Sequence, residues 1–239
     1  MTTLSLEARD KLHALTWYMT ARKTALRAAL SFRTPLTVVA SDDMRVQYSA
    51  YFQNLISATE LLREDGLLPS KTFETELYQR FVFPAFGDGE SNYEYVKCMR
   101  NAIIHRGYNI AGAAHIDGDF PMLVAEPSFQ NNATNPAKIK TFPTFEKYVL
   151  DIITKCESVI GSAIFDCLDR EGVFQATVDS QAAVAELRAA VQNSHVMPDW
   201  AKAMSATSEV KPEWLEAAHI SMKDKLRAIL APCDTSRAP

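Results

Sequence analysis

At 239 residues the chain is long enough for one large core, or for one domain with an appendage. Hydrophobic content of 47% with 23% charged residues is ordinary for a globular protein, and eight glycines with eleven prolines argue against a disordered chain or a loop-rich β fold. A net charge of −4 and a pI of about 5.8 argue against a protein that coats nucleic acid indiscriminately.

In chain order, Leu12, Leu15, Met19, Leu26 and Leu30 recur at helical intervals and predict one long amphipathic helix over about 4–31, ended by Pro35. Ser41 is a suitable N-cap for a second helix over about 42–64, with Asp42 and Asp43 in its first turn. Met44, Tyr48, Tyr51, Phe52, Leu55, Ile56 and Leu62 continue its pattern to Gly66. A shorter helix follows Ser70 and stops before Pro84. Ser91-Asn92-Tyr93-Glu94 fits a capping box and opens a helix over about 92–106, with Gly107 as its left-handed terminator.

Over about 108–126 the apolar runs Ile110–Ile116 and Met122–Ala125 flank the turn sequence Asp117-Gly118-Asp119, which predicts a small β-hairpin. Gln130–Pro136 reads as a loop. Thr144 caps a further helix over about 145–169, in which Phe145, Val149, Ile152, Cys156, Val159 and Ala163 alternate steps of four and three, as in a bundle seam. The fold class expected is therefore all-α: an antiparallel bundle of four long helices in residues 1–171, with a β-hairpin insertion, and a C-terminal helical extension over 172–239.

In that extension a helix starts near Asp179-Ser180, with Val184, Leu187 and Val191 on one face. Met197-Pro198-Asp199-Trp200-Ala201-Lys202-Ala203 is then echoed fourteen residues later by Lys211-Pro212-Glu213-Trp214-Leu215-Glu216-Ala217. Each copy places proline at the first helical position and an acid in the first turn, with a tryptophan expected to face inward. Two helix starts built alike explain the echo; a docking surface anchored by Trp200 and Trp214 is the functional alternative.

Charge is unevenly distributed. No acid occurs from Lys11 to Ser41, which carries Lys11, Arg22, Lys23, Arg27 and Arg33, nor from Tyr95 to Ile116, which carries Lys97, Arg100 and Arg106. Packed together, the two stretches would form a local positive patch; packed apart, they are solvated basic helix faces. Cys98, Cys156, Cys167 and Cys233 form no CxxC pair, so neither a zinc knuckle nor a disulfide framework is indicated, and buried free thiols in a reducing compartment are expected. The N-terminal residues lack a signal-peptide pattern and no apolar run reaches membrane-spanning length, so the expectation is a cytoplasmic protein with no membrane partner.

The chemistry concentrates in Arg100-Asn101-Ala102-Ile103-Ile104-His105-Arg106-Gly107. Cations in a last helical turn are favoured by the helix dipole, by about 0.3–1 kcal/mol each. That accounts for some of the charge but not for Asn101, a poor interior helix residue one turn before His105 on the same face, nor for histidine in place of lysine. Arginine holds phosphate, and histidine moves protons near neutral pH. Positions five apart differ by about 140° around a helix, so Arg100 and His105 do not share a face.

The element Arg100-Asn101-(three residues)-His105 resembles the signature of the HEPN superfamily, α-helical domains many of which are ribonucleases in toxin–antitoxin, phage-defence and RNA-processing systems. The resemblance covers residues 1–170 at most and implies a metal-independent endoribonuclease acting by attack of the ribose 2′-hydroxyl. It implies catalytic roles for Arg100, Asn101 and His105 and a symmetric homodimer that joins two motifs. Arg106 and Lys97, in the acid-free stretch, and Tyr108, just past the helix end, are the expected RNA contacts, and Tyr108 reads equally as an aromatic that closes the helix against its own bundle. An antitoxin or defence-system protein is a further implied partner. The alternative is a non-catalytic HEPN-like module that binds a protein or nucleotide.

No metal or other cofactor is expected: His13, His195 and His219 are isolated, and P-loop, Rossmann and serine-hydrolase signatures are missing. His115 reads as an ordinary strand residue or a second proton-transfer group. Glu60 and Glu64 read as the solvated end of the second helix or, in principle, as a carboxylate pair.

Overall fold

The computed structural model describes residues 3–64, 67–69 and 71–235. The described residues are mostly helical, with two small antiparallel hairpins among them. Helix α1, Leu6–Ala29, opens at Ser5, whose side chain accepts the Ala8 N–H, and buries Leu12, Leu15, Met19 and Leu26. Helix α2, Val38–Leu61, begins four residues ahead of expectation. Thr37 rather than Ser41 is its N-cap, and Ser41 donates its backbone N–H to the Thr37 carbonyl. Val38 and Val39 are exposed, so their turn added nothing to the apolar pattern.

Helix α3, Thr72–Arg80, follows Lys71 in a left-handed conformation. The signals read at Gly66 and Ser70 lie outside the described residues. Helix α4, Gly89–Arg106, starts one turn before the expected capping box. Asp88 is the cap, accepting from the Ser91 N–H at 2.8 Å, while Glu94 pairs with Lys97 instead of reaching back. The earlier start lets Gly89 lie against α3, where a Cβ would fall 1.8 Å from the Tyr78 carbonyl oxygen. Asn92 is buried there and donates to the carbonyls of Phe81 and Gly87. Gly107 ends α4 with φ +64°, and the N–H groups of Gly107 and Tyr108 both go to the Ala102 carbonyl.

Strands β1, Ala114–Asp117, and β2, Phe120–Leu123, form the expected hairpin around Gly118-Asp119. Its tip docks on the α1–α2 connection: Thr34 donates its N–H and hydroxyl to the Asp119 carbonyl, and Arg33 lies 3.4 Å from the Asp119 carboxylate. A second hairpin pairs β3, Ser128–Gln130, with β4, Thr141–Pro143, across the predicted loop.

Helix α5, Val149–Arg170, begins after the expected Thr144 start. Residues 144–148 form a turn closed by Thr144 and bond back to the first hairpin, with Ala125 N–H donating to the Lys147 carbonyl. Phe145 is buried among Phe81, Phe83, Phe86 and Tyr95, so it belongs to the core without being helical.

Gly172, at φ +71°, precedes a turn that leads to α6, Ser180–Asn193, capped by Asp179 as expected. Helices α7, Asp199–Thr207, and α8, Pro212–Leu230, follow. The inward placement of the echoed tryptophans does not hold: Trp200 is 68% and Trp214 58% exposed. Helix α7 packs on α6 and buries none of its own residues, so that apolar face has nothing to cover it among the described residues. Helix α8 packs on α1, α5 and α6, with Leu226 and Leu230 buried. No described helix is long and apolar enough to cross a membrane.

Beneath these contacts lies an ionic cluster at full burial. Arg22 of α1 pairs with Glu157 of α5 at 3.1 Å, and Tyr51 of α2 donates its hydroxyl to Glu157 Oε1 at 2.9 Å. The end of α8 and the chain after it complete it, the Ile229 carbonyl accepting from Arg22 and the Cys233 N–H donating to Glu157 Oε2 at 2.8 Å.

Candidate active site

The last two turns of α4 carry the Arg-Asn-x-x-x-His element. Arg100 faces α2, where its guanidinium meets Glu60 Oε2 at 2.6 Å; the arginine side chain is 13% exposed and the glutamate 38%. Arg100 Nε is buried with no hydrogen-bond partner among the described residues. Asn101 is half-buried, and its amide carries no hydrogen bond among the described residues. His105 and Arg106 are exposed in the final turn. Asn101 and His105 stand one turn apart on one face, while Arg100 is turned away toward Glu60, so a single chain engages the arginine elsewhere than at the histidine.

The end of α4 is fixed from α2. Arg45 donates to the Gly107 carbonyl at 3.1 Å, supplying a cation to the negative end of the helix. With His105 and Arg106 this makes three basic side chains around one helix terminus, none ion-paired among the described residues.

Of the residues expected to contact RNA, Lys97 pairs with Glu94 at 3.4 Å. Tyr108 packs edge-on against Phe129, ring centroids 5.5 Å apart, and burial followed by the Glu126 charge pushes its hydroxyl up to about 12, so it stays protonated as a donor. Arg106 alone of the three projects freely into solvent. His115 lies on the exposed strand β1, its ring centroid 6.2 Å from that of Tyr148.

Of the two alternatives for the acid-free stretches, a shared positive patch does not form. Five of their eight bases are in ion pairs: Lys11 with Glu7 and Glu64, Arg22 with Glu157, Arg33 with Asp119, Lys97 with Glu94, and Arg100 with Glu60. Helix α1 packs on α2 and α8, whereas α4 packs on α2, α3 and the second hairpin. Glu7 and Glu94 lie on the same helices just outside the stretches, while Glu60, Glu64, Asp119 and Glu157 come from other parts of the fold.

Glu60, expected at a solvated helix end or as one of a carboxylate pair, is the partner of Arg100. Glu64 goes to Lys11 and Arg63 to Glu74. Arg45 was likewise missed. Neither contact carries a sequence signal, since both depend on how α2 lies across α4. Among the described residues no three His, Cys, Asp or Glu side chains gather as a metal set, and the four cysteines are free and buried. No family model, curated protein or solved structure matches the chain.

Proposed function

We propose that the chain is a metal-independent endoribonuclease of HEPN type, acting in a toxin–antitoxin or phage-defence setting, with α1, α2, α4 and α5 as its antiparallel bundle. The observation that carries this reading is the end of α4: an exposed histidine and an unengaged asparagine on one face, beside an arginine held by an exchangeable carboxylate. In the reaction the ribose 2′-oxygen attacks phosphorus, the P–O5′ bond breaks, and a 2′,3′-cyclic phosphate and a 5′-hydroxyl result. One proton leaves the 2′-hydroxyl and one reaches the departing 5′-oxygen; His105 is suited to either transfer. Arg100 stabilises the charge gained by the phosphoryl oxygens, and Asn101 orients His105 or the phosphate. Because Arg100 and His105 lie about 140° apart on α4, two copies of the motif across a homodimer cleft give the complete site.

Incubation of the protein with mixed RNA in EDTA tests this reading. Cleavage is expected to leave cyclic phosphate ends and to fall about 10²–10⁴-fold in His105→Ala and in Arg100→Ala. RNA left intact under these conditions counts against the nuclease.

The Glu60 pair yields a separate expectation. A phosphate must displace Glu60 from Arg100, so Glu60→Gln is expected to lower KM for RNA several-fold while kcat stays within about twofold. Steady-state kinetics on a short cleavable RNA measure this, and an unchanged KM would show that Arg100 does not meet the phosphate.

A second reading rests on the exposed Trp200, Met204 and Trp214 of the C-terminal helices, which suit a protein partner and accord with a non-catalytic module.

A further inference from the structure

The outer face of α1 along its acid-free stretch lines an open groove of about 460 Å³ between α1 and α2, closed at one side by Lys225 of α8. The volume lies within the range that holds small ligands. Its floor exists because Ala21, Ala25 and Ala50 are small where the two helices meet.

One wall is Trp17, 62% exposed, its ring braced edge-on by Tyr18 with centroids 5.0 Å apart. The facing wall offers two amides. Asn54 donates to the Ala50 carbonyl at 2.7 Å and keeps its oxygen available, and Gln47 makes no side-chain hydrogen bond among the described residues. The Lys225 ammonium has no ion pair among the described residues, and no carboxylate lines the groove. A flat aromatic surface, two amides that both donate and accept, and an uncompensated cation select a planar, hydrogen-bonding, anionic ligand.

We propose that this groove binds a nucleotide: the base stacks on Trp17, its edge meets Gln47 and Asn54, and its phosphate meets Lys225. Arg27, exposed one turn beyond Thr24 on the same face of α1, extends the track for a neighbouring phosphate when the nucleotide belongs to a strand. The groove is separate from the α4 element. Asn54 and Glu60 are six residues apart on α2, about 9 Å along its axis and about 120° around it.

The test uses the full chain with His105→Ala, Trp200→Phe and Trp214→Phe, which leaves Trp17 as the sole tryptophan of the original three and removes the proposed cleavage. Its fluorescence is titrated with each of the four ribonucleoside monophosphates and with a single-stranded RNA of about 12 nucleotides. Saturable quenching is expected, weakened about tenfold or more in Lys225→Ala and in Asn54→Ala, and calorimetry is expected to show the same loss in Trp17→Ala. Quenching by monophosphates identifies a free nucleotide as the ligand; quenching by the strand alone identifies a segment of RNA. No quenching by either, quenching indifferent to both substitutions, or a fluorescence change that follows protein concentration alone would overturn the proposal, the last by assigning the groove to self-association. Binding is read without cleavage, so this result and that of the nuclease assay stand independently.

Discussion

Glu157→Ala is expected to destabilise the protein by about 3–5 kcal/mol. The carboxylate is used on both oxygens: Oε1 by Arg22 and Tyr51, Oε2 by the Cys233 N–H. Its loss strands a guanidinium with no solvent exposure, together with a buried hydroxyl and a buried amide donor. In the intact cluster, burial and then the Glu157 charge hold the Tyr51 hydroxyl and the Cys156 thiol far above their ordinary values, so both stay neutral beside the ion pair.

A comparison separates the charge from the contact. In Arg22→Met with Glu157→Gln no ion remains in this cluster, and the amide oxygen still accepts a hydrogen bond. The double variant is expected to recover at least about half of the loss, since an unpaired buried charge costs more than a missing pair. Urea unfolding of the three proteins measures both quantities. A loss below about 1 kcal/mol in Glu157→Ala would mean that water reaches the cluster.

Gly161→Ala gives the second large effect, and two opposing terms decide its sign. In a helix interior alanine gains about 1 kcal/mol over glycine. At this position the added Cβ would lie 2.1 Å from the Leu230 carbonyl oxygen, a backbone atom with no rotamer to escape through. Helices α5 and α8 must therefore separate, and overpacking of this kind costs about 1–3 kcal/mol, so a net loss of up to about 2 kcal/mol is expected. Thermal unfolding would register it as a lower Tm, and a rise in Tm would show that α8 does not approach α5 this closely.

Helical content was legible in the sequence because burial at steps of three and four is a property of each segment alone. The ends were less so, for reasons that particular residues make plain. Thr37 and Ser41 are equally competent caps, and the choice fell to the one that leaves two valines in solvent. Phe145 lies four residues before Val149 and is as buried as a helical position would be, yet its backbone serves a turn against the hairpin. Strands of three residues with one inward Phe129 show no periodicity to detect.

At the candidate site the element itself was readable, including the left-handed Gly107 that ends its helix. The company of Arg100 was not. Glu60 lies forty residues away on another helix, and no local rule joins them. Arg22 shows the same limit more sharply: in sequence it is one base among five in a stretch without acids, and in space it is the most deeply buried charge among the described residues.

That burial also sets an order of events during synthesis. Arg22 meets Cys233 211 residues further along the chain, and Glu157 receives its last donor from the same segment. At about 5–20 residues per second, roughly 10–40 s separate the emergence of the arginine from that of the groups that complete its surroundings. Over that interval the N-terminal helices are a nascent chain whose central cation still needs water, and the segment around Cys233, translated well after it, is the one that lets it be sealed.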